Sequence, residues 1–120
     1  MNKYEALCNF YNSFGIPAYE EFSVSEKATM PYIRYEVITS SFDSENTALS
    51  LQIYYKSETL TKIDAMTEKL SESLRNGKTL KCDEGFIVLY RGEPFAQNVE
   101  SGDKSVKCKY INITADFITL

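Results

Sequence analysis

The chain has 120 residues, 43% of them hydrophobic and 25% charged, with a formal net charge of −4. That length makes one domain, residues 1–120, able to bury roughly two-thirds of its unfolded surface without disulfide or metal staples. The acidic balance argues against sequence-specific DNA or RNA binding, which needs a basic patch, yet it suits a wall past which DNA should slide without sticking.

The first element predicted is a helix over Lys3–Phe14, where Tyr4, Leu7, Cys8 and Tyr11 fall at i, i+3, i+4 and i+7, and Phe10 and Phe14 widen the apolar face. Gly15 is its natural stop and Pro17 forbids continuation. Ala18–Phe22 reads as a short strand and Ser23–Met30 as a loop. Tyr32–Thr39 is a strand with Ile33, Tyr35 and Val37 on one face and Tyr32, Arg34 and Glu36 on the other. After a connection at Ser40–Asn46, a second strand over Thr47–Lys56 alternates Leu49, Leu51, Ile53 and Tyr55 against Ala48, Ser50, Gln52, Tyr54 and Lys56.

A helix over Thr59–Asn76 follows, with Ser57 or Thr59 as N-cap. Its buried stripe is Ile63, Met66, Leu70 and Leu74, supported by Leu60, and Asn76-Gly77 is its stop. Thr79–Cys82 and Phe86–Arg91 form a hairpin around Asp83-Glu84-Gly85, and Gly92–Asp103 reads as a long loop. In the last strand, Ser105–Thr119, the apolar positions switch parity at Tyr110-Ile111. Either a β-bulge sits there, or the strand leaves one surface and joins another. The expected fold is α+β, a mostly antiparallel sheet with two helices packed on it, in the order α-β-β-β-α-β-β-β.

Chemistry-bearing patterns are sparse. The sequence has no histidine, which removes Ser-His-Asp and Cys-His catalysis and the commonest metal ligand. Its five glycines form neither a dinucleotide fingerprint nor a P-loop, so no cofactor is expected. The odd set Cys8, Cys82 and Cys108 lacks zinc spacing; buried free thiols are the favoured reading, a reactive thiol the other. Glu20-Glu21 and Asp83-Glu84 fall at turns or strand ends, where solvated carboxylates are the plain reading and a paired acid and base the sharper one. No run approaches the roughly 20 apolar residues of a membrane span. The first residues carry Glu5 and Asn9 where a secretory signal would be apolar, so no membrane partner and a cytoplasmic location are expected.

Aromatic residues are abundant: nine Tyr and seven Phe. Tyr32 and Tyr54 lie on the outer strand faces, either packed under a helix or forming a protein interface. Phe42 in the first long connection and Phe95 and Gln97 in the second complete the candidate contact set. Lys104, Lys107 and Lys109 read as a solvated strand edge or as a partner contact.

The segments IPAYEEFSV (16–24), MPYIRYEVIT (30–39), ALSLQIYYKS (48–57) and LYRGEPFAQNV (89–99), in this order of elements, resemble the small tail-completion proteins of long-tailed bacteriophages and prophages, the tail terminators and tail-to-head joining proteins. The likeness covers nearly the whole chain. It implies a non-enzymatic structural protein that assembles with itself, commonly into a hexameric ring. That ring terminates the tail tube and docks to the head connector, with DNA at most passing through it. It implies location at the head–tail junction of the virion, and in the bacterial cytoplasm during assembly. Two other classes are weighed beside it: a small enzyme built on carboxylates and Tyr, and an adaptor or regulatory module that takes a partner peptide on an exposed strand edge.

Overall fold

The computed structural model describes residues 1–36 and 47–119. The end of the strand predicted over Tyr32–Thr39, residues Val37–Thr39, and the connection Ser40–Asn46 with Phe42 lie outside the described residues. The elements are α1 (Lys3–Tyr11), a one-turn 3-10 helix (Asn12–Phe14), β1 (Ala18–Glu20), β2 (Tyr32–Tyr35), β3 (Thr47–Lys56), α2 (Thr61–Ser73), β4 (Lys78–Cys82), β5 (Gly85–Val99) and β6 (Val106–Thr119). The fold is α+β and mostly strand: one mixed six-stranded sheet in the order β1-β2-β3-β6-β5-β4, with two helices. β1 and β2 run parallel, which makes the sheet mixed, and the other neighbours are antiparallel, in keeping with the mostly antiparallel sheet expected.

α1 begins in a capping box: Asn2 Oδ1 accepts from the Glu5 N–H at 2.9 Å, and Glu5 Oε1 accepts from the Asn2 N–H at 3.2 Å. The chain tightens into the 3-10 turn and leaves it at Gly15, whose φ of 87° a side chain would oppose. The buried face is Ala6, Leu7, Phe10, Tyr11 and Phe14; Tyr4, predicted on that face, is largely exposed. α2 buries Ile63, Met66, Leu70 and Leu74 as its periodicity requires, but starts at Thr61. Leu60 is its N-cap, without a side-chain bond, and is largely exposed, so neither Ser57 nor Thr59 caps the helix.

Both helices pack on the same sheet face. The core joins their apolar stripes to Ile33 and Tyr35 of β2, Leu49, Leu51 and Ile53 of β3, Ile87 and Leu89 of β5, and Ile111, Ile113, Ala115 and Phe117 of β6. Tyr11 and Tyr35 meet with ring centroids 4.6 Å apart. Arg91 Nε donates to the Ser71 carbonyl at 3.0 Å, tying β5 to α2.

Two readings of the C-terminal half are corrected. The first concerns the parity switch. β6 pairs with β3 without interruption from Lys56↔Val106 to Thr47↔Ala115, so there is no bulge at Tyr110-Ile111. Lys107, Lys109 and Ile111 share the helix-side face, and Cys108 is buried on the opposite one. The lysines are tolerated there because Lys109 Nζ reaches Asp64 of α2 at 2.7 Å, while Lys107 Nζ donates to the Lys104 carbonyl. β6 also lies between β3 and β5, so its lysines do not guard a sheet edge.

The second correction concerns the predicted loop at Gly92–Asp103, most of which is strand. β5 runs to Val99 and carries the irregularity itself: Arg91 faces Ile113 and Ala96 faces Ile111, so residues 92–95 stand opposite Asn112 alone. Asn112 Nδ2 donates to the Pro94 carbonyl at 2.9 Å and holds the bulge. Gly92 is required at its root, because a Cβ there would meet the Asn112 carbonyl oxygen at 2.7 Å.

Candidate functional site: the helix-free face of the sheet

With both helices on one side, the opposite face of β1, β2, β3, β6 and β5 carries no helix among the described residues. Cross-strand register builds this face in rows. One row is Tyr32–Tyr54–Cys108–Val99. The next is Tyr19–Arg34–Gln52–Tyr110–Gln97. A third joins Ser50 to Asn112, with Glu36 bonded to the Ser50 hydroxyl. Each strand contributes the alternate residues that its core-facing positions leave over.

The rows are locked sideways. The Tyr32 and Tyr54 rings stack with centroids 5.1 Å apart, and Tyr19 meets Tyr32 edge-on at 5.9 Å. The Gln52 side-chain oxygen accepts two bonds, one from Arg34 Nη1 and one from the Tyr54 hydroxyl, each 2.8 Å. Arg34 Nε also donates to the Glu21 carbonyl at 3.4 Å. Partial burial, and then the neighbouring Cys108, push the Tyr54 phenol above its ordinary pKa, and burial likewise pushes the Cys108 thiol up. Both groups are therefore neutral at physiological pH. The arrangement is a stiff platform of stacked phenols around one fixed guanidinium. Tyr and Arg are enriched in the buried centres of protein interfaces, and here the guanidinium is already held by its hydrogen bonds.

Among the predicted contact residues, the structure brings Tyr32, Tyr54 and Gln97 together on this face. Tyr32 and Tyr54 are half-buried rather than covered by a helix, and Gln97 is exposed beside Tyr110. Phe95 stands apart: it belongs to the β5 bulge, is half-buried, and packs against the core instead of facing solvent from a loop. Phe42 lies outside the described residues. Sequence reasoning missed Tyr19, Arg34, Gln52 and Tyr110 as members of the same surface. The outward positions of Arg34 and Gln52 follow from alternation within their own strands, but the adjacency of all four needs the order β1-β2-β3-β6-β5.

Elsewhere the chemistry is quiet. Glu20 closes β1, with Glu21 just beyond it, and Asp83-Glu84 form the β4–β5 turn. All three cysteines are free; Cys82 and Cys108 are buried and Cys8 half-buried. Among the described residues no group of three or more His, Cys, Asp or Glu could hold a metal ion, and no helix is long and apolar enough to cross a membrane. Comparison of the chain with protein-family models, with curated proteins and with solved structures found no match.

Proposed function

We propose that the chain is a structural virion protein of the head–tail junction of a long-tailed phage or prophage. In this reading it assembles with itself into a ring, a hexamer by the resemblance given above, that terminates the tail tube and docks to the head connector. Terminator and tail-to-head joining protein are two forms of the same proposal. The observation that supports it best is the helix-free sheet face, with Tyr19, Tyr32, Tyr54 and Tyr110 set around Arg34 and Gln52. A face so rich in pre-ordered phenols is suited to being covered by protein. In a ring it would meet a different surface of the next subunit, because the contact must be heterologous and close by rotation. The test is co-sedimentation with tail tubes of the phage or prophage that encodes the chain. Capping of the tubes by the wild type, lost in Tyr32→Ser/Tyr54→Ser, supports the proposal. A chain that neither self-associates nor binds tubes sinks it.

A second reading, an adaptor that takes an extended peptide, has one observation in its favour. β4 covers β5 only from Gly85 to Leu89, so the outer edge of β5 beyond Leu89 has no strand beside it among the described residues. The genomic neighbourhood separates the two: portal, capsid and tube genes alongside favour the first reading, and their absence the second.

A further inference from the structure

Among the described residues the most exposed large apolar side chain is Phe22, at 86%. It does not sit on a frayed segment. Glu20–Ser23 is a β-turn closed by the Ser23 N–H on the Glu20 carbonyl at 2.8 Å, and the Ser23 hydroxyl donates to the Glu20 carboxylate at 3.1 Å. The Glu21 N–H donates to the Tyr35 carbonyl at 2.9 Å, and the Glu21 carbonyl accepts from Arg34 Nε at 3.4 Å. The backbone on both sides of Phe22 is therefore fixed at the β1 flank of the sheet. A turn that holds a phenyl ring in water gains nothing for the fold of its own chain; the gain comes when the ring is covered.

The opposite flank carries a hollow that suits it. A concavity of about 580 Å³, ample for a phenyl ring, lies between the β5–β6 connection and the start of α2. Leu60, Val99 and Val106 form its apolar wall, and Leu60 and Val99 are each 40% exposed. β2 and β3 stand between β1 and β6, about 14 Å across at the usual strand spacing, so Phe22 cannot enter the hollow of its own chain. The charges also match. Around the hollow stand three lysines, Lys104, Lys107 and Lys56 (opposite Val106), against two carboxylates, Glu100 and Asp103. Asp103 is turned to the Ser105 N–H and hydroxyl, at 2.9 and 2.8 Å. The turn that bears Phe22 carries Glu20 and Glu21. Neither of these, and none of the three lysines, stands in an ion pair among the described residues.

We propose that Phe22 of one copy of this chain seats in the hollow between Leu60, Val99 and Val106 of the next copy, with Glu20 and Glu21 beside the lysines of its rim. Knob and hollow lie on different flanks, so the contact is heterologous and repeats head to tail, as a closed ring requires. The proposal rests on the reading that the chain assembles with itself, and it names two surfaces that meet when it does.

The test is analytical ultracentrifugation of the full chain, alone and with tail tubes, for the wild type, Phe22→Ser, Val99→Glu and an equimolar mixture of the two variants. Val99→Glu puts a charge into the hollow that repels Glu20 and Glu21, and both substitutions fall at exposed positions, so the circular dichroism spectrum should not change. Each variant alone should associate more weakly than the wild type by about tenfold or more, the worth of one buried phenyl side chain. The mixture should form a species heavier than either variant alone, because Phe22 of the Val99→Glu chain still finds the intact hollow of the Phe22→Ser chain. A wild type that assembles while Phe22→Ser assembles equally well overturns the knob and leaves the ring standing. Assembly weakened by Phe22→Ser but not by Val99→Glu, or a mixture no heavier than its components, overturns the hollow as its seat. A wild type that is monomeric both alone and with tail tubes overturns the ring reading and this contact with it.

Discussion

Replacing Tyr11 by Phe should stabilise the free protein, although the residue is at the centre of the packing between α1 and the sheet. Its ring meets Phe10 at 5.6 Å and Tyr35 at 4.6 Å, and Phe preserves both contacts. What the change removes is a buried hydroxyl without a partner. Such a group costs roughly 1–3 kcal/mol, so the variant gains about that much, or several degrees in Tm. The pH dependence gives an independent check. Burial, and then the adjacent Tyr35, hold the Tyr11 phenol above its ordinary pKa of 10.0. The folded state therefore keeps a proton that the unfolded state begins to release near pH 10. Wild-type stability falls as pH rises from there toward the folded pKa, by up to about 1.4 kcal/mol per pH unit for this one group. Tyr11→Phe deletes that share, while Tyr35, Tyr54 and Tyr55, also raised, maintain the rest of the alkaline slope. Urea unfolding followed by circular dichroism from pH 7 to pH 11 measures both effects. A variant less stable than wild type at pH 7, or a difference that stays constant up to pH 11, refutes the reasoning.

Leu70→Ala, in the fully buried stripe of α2, should lower stability by about 2–5 kcal/mol in the same urea assay, with the slope unchanged. Gly92→Ala should cost roughly 1–3 kcal/mol and shift the Asn112 amide resonance, since the new methyl group collides with backbone at the root of the bulge. Asp64→Asn should cost no more than about 1 kcal/mol, shrinking further in high salt, because the Asp64 side chain is half in solvent although that of its partner Lys109 is only 14% exposed.

Legibility from sequence followed the strength of local pattern. β3 was readable because Leu49, Leu51, Ile53 and Tyr55 alternate without exception, and α2 because Ile63, Met66, Leu70 and Leu74 keep a helical period. The second half of β5 was not, because Gly92-Glu93-Pro94 has the composition of a turn. The strand resumes only because β6 lies beside it and Asn112 bonds across the gap. In β6 the two lysines on the core-side parity imitated a change of face, and only the position of Asp64 on α2 explains how one of them is accommodated. Of the sheet-face site, Tyr32 and Tyr54 could be placed on an outer surface from alternation alone. That no helix lies over them depends on which side both helices pack, a tertiary choice that no local window encodes. Phe95 was misplaced for the same reason as β5: a residue assigned to a loop is presumed to face water, whereas here the bulge turns it to the core.

The central claim is that the platform around Tyr32 and Tyr54 is an assembly surface. Multi-angle light scattering of the wild type and of Tyr32→Ser/Tyr54→Ser, over a concentration series with tail tubes present and absent, tests it most directly. The account predicts that the wild type forms a species of several times the 13.7 kDa chain mass, a hexamer in the ring reading, alone or on the tubes. The double variant should stay a monomer with an unchanged circular dichroism spectrum. A wild type that is monomeric under every condition, or a double variant that assembles as well as the wild type, contradicts it.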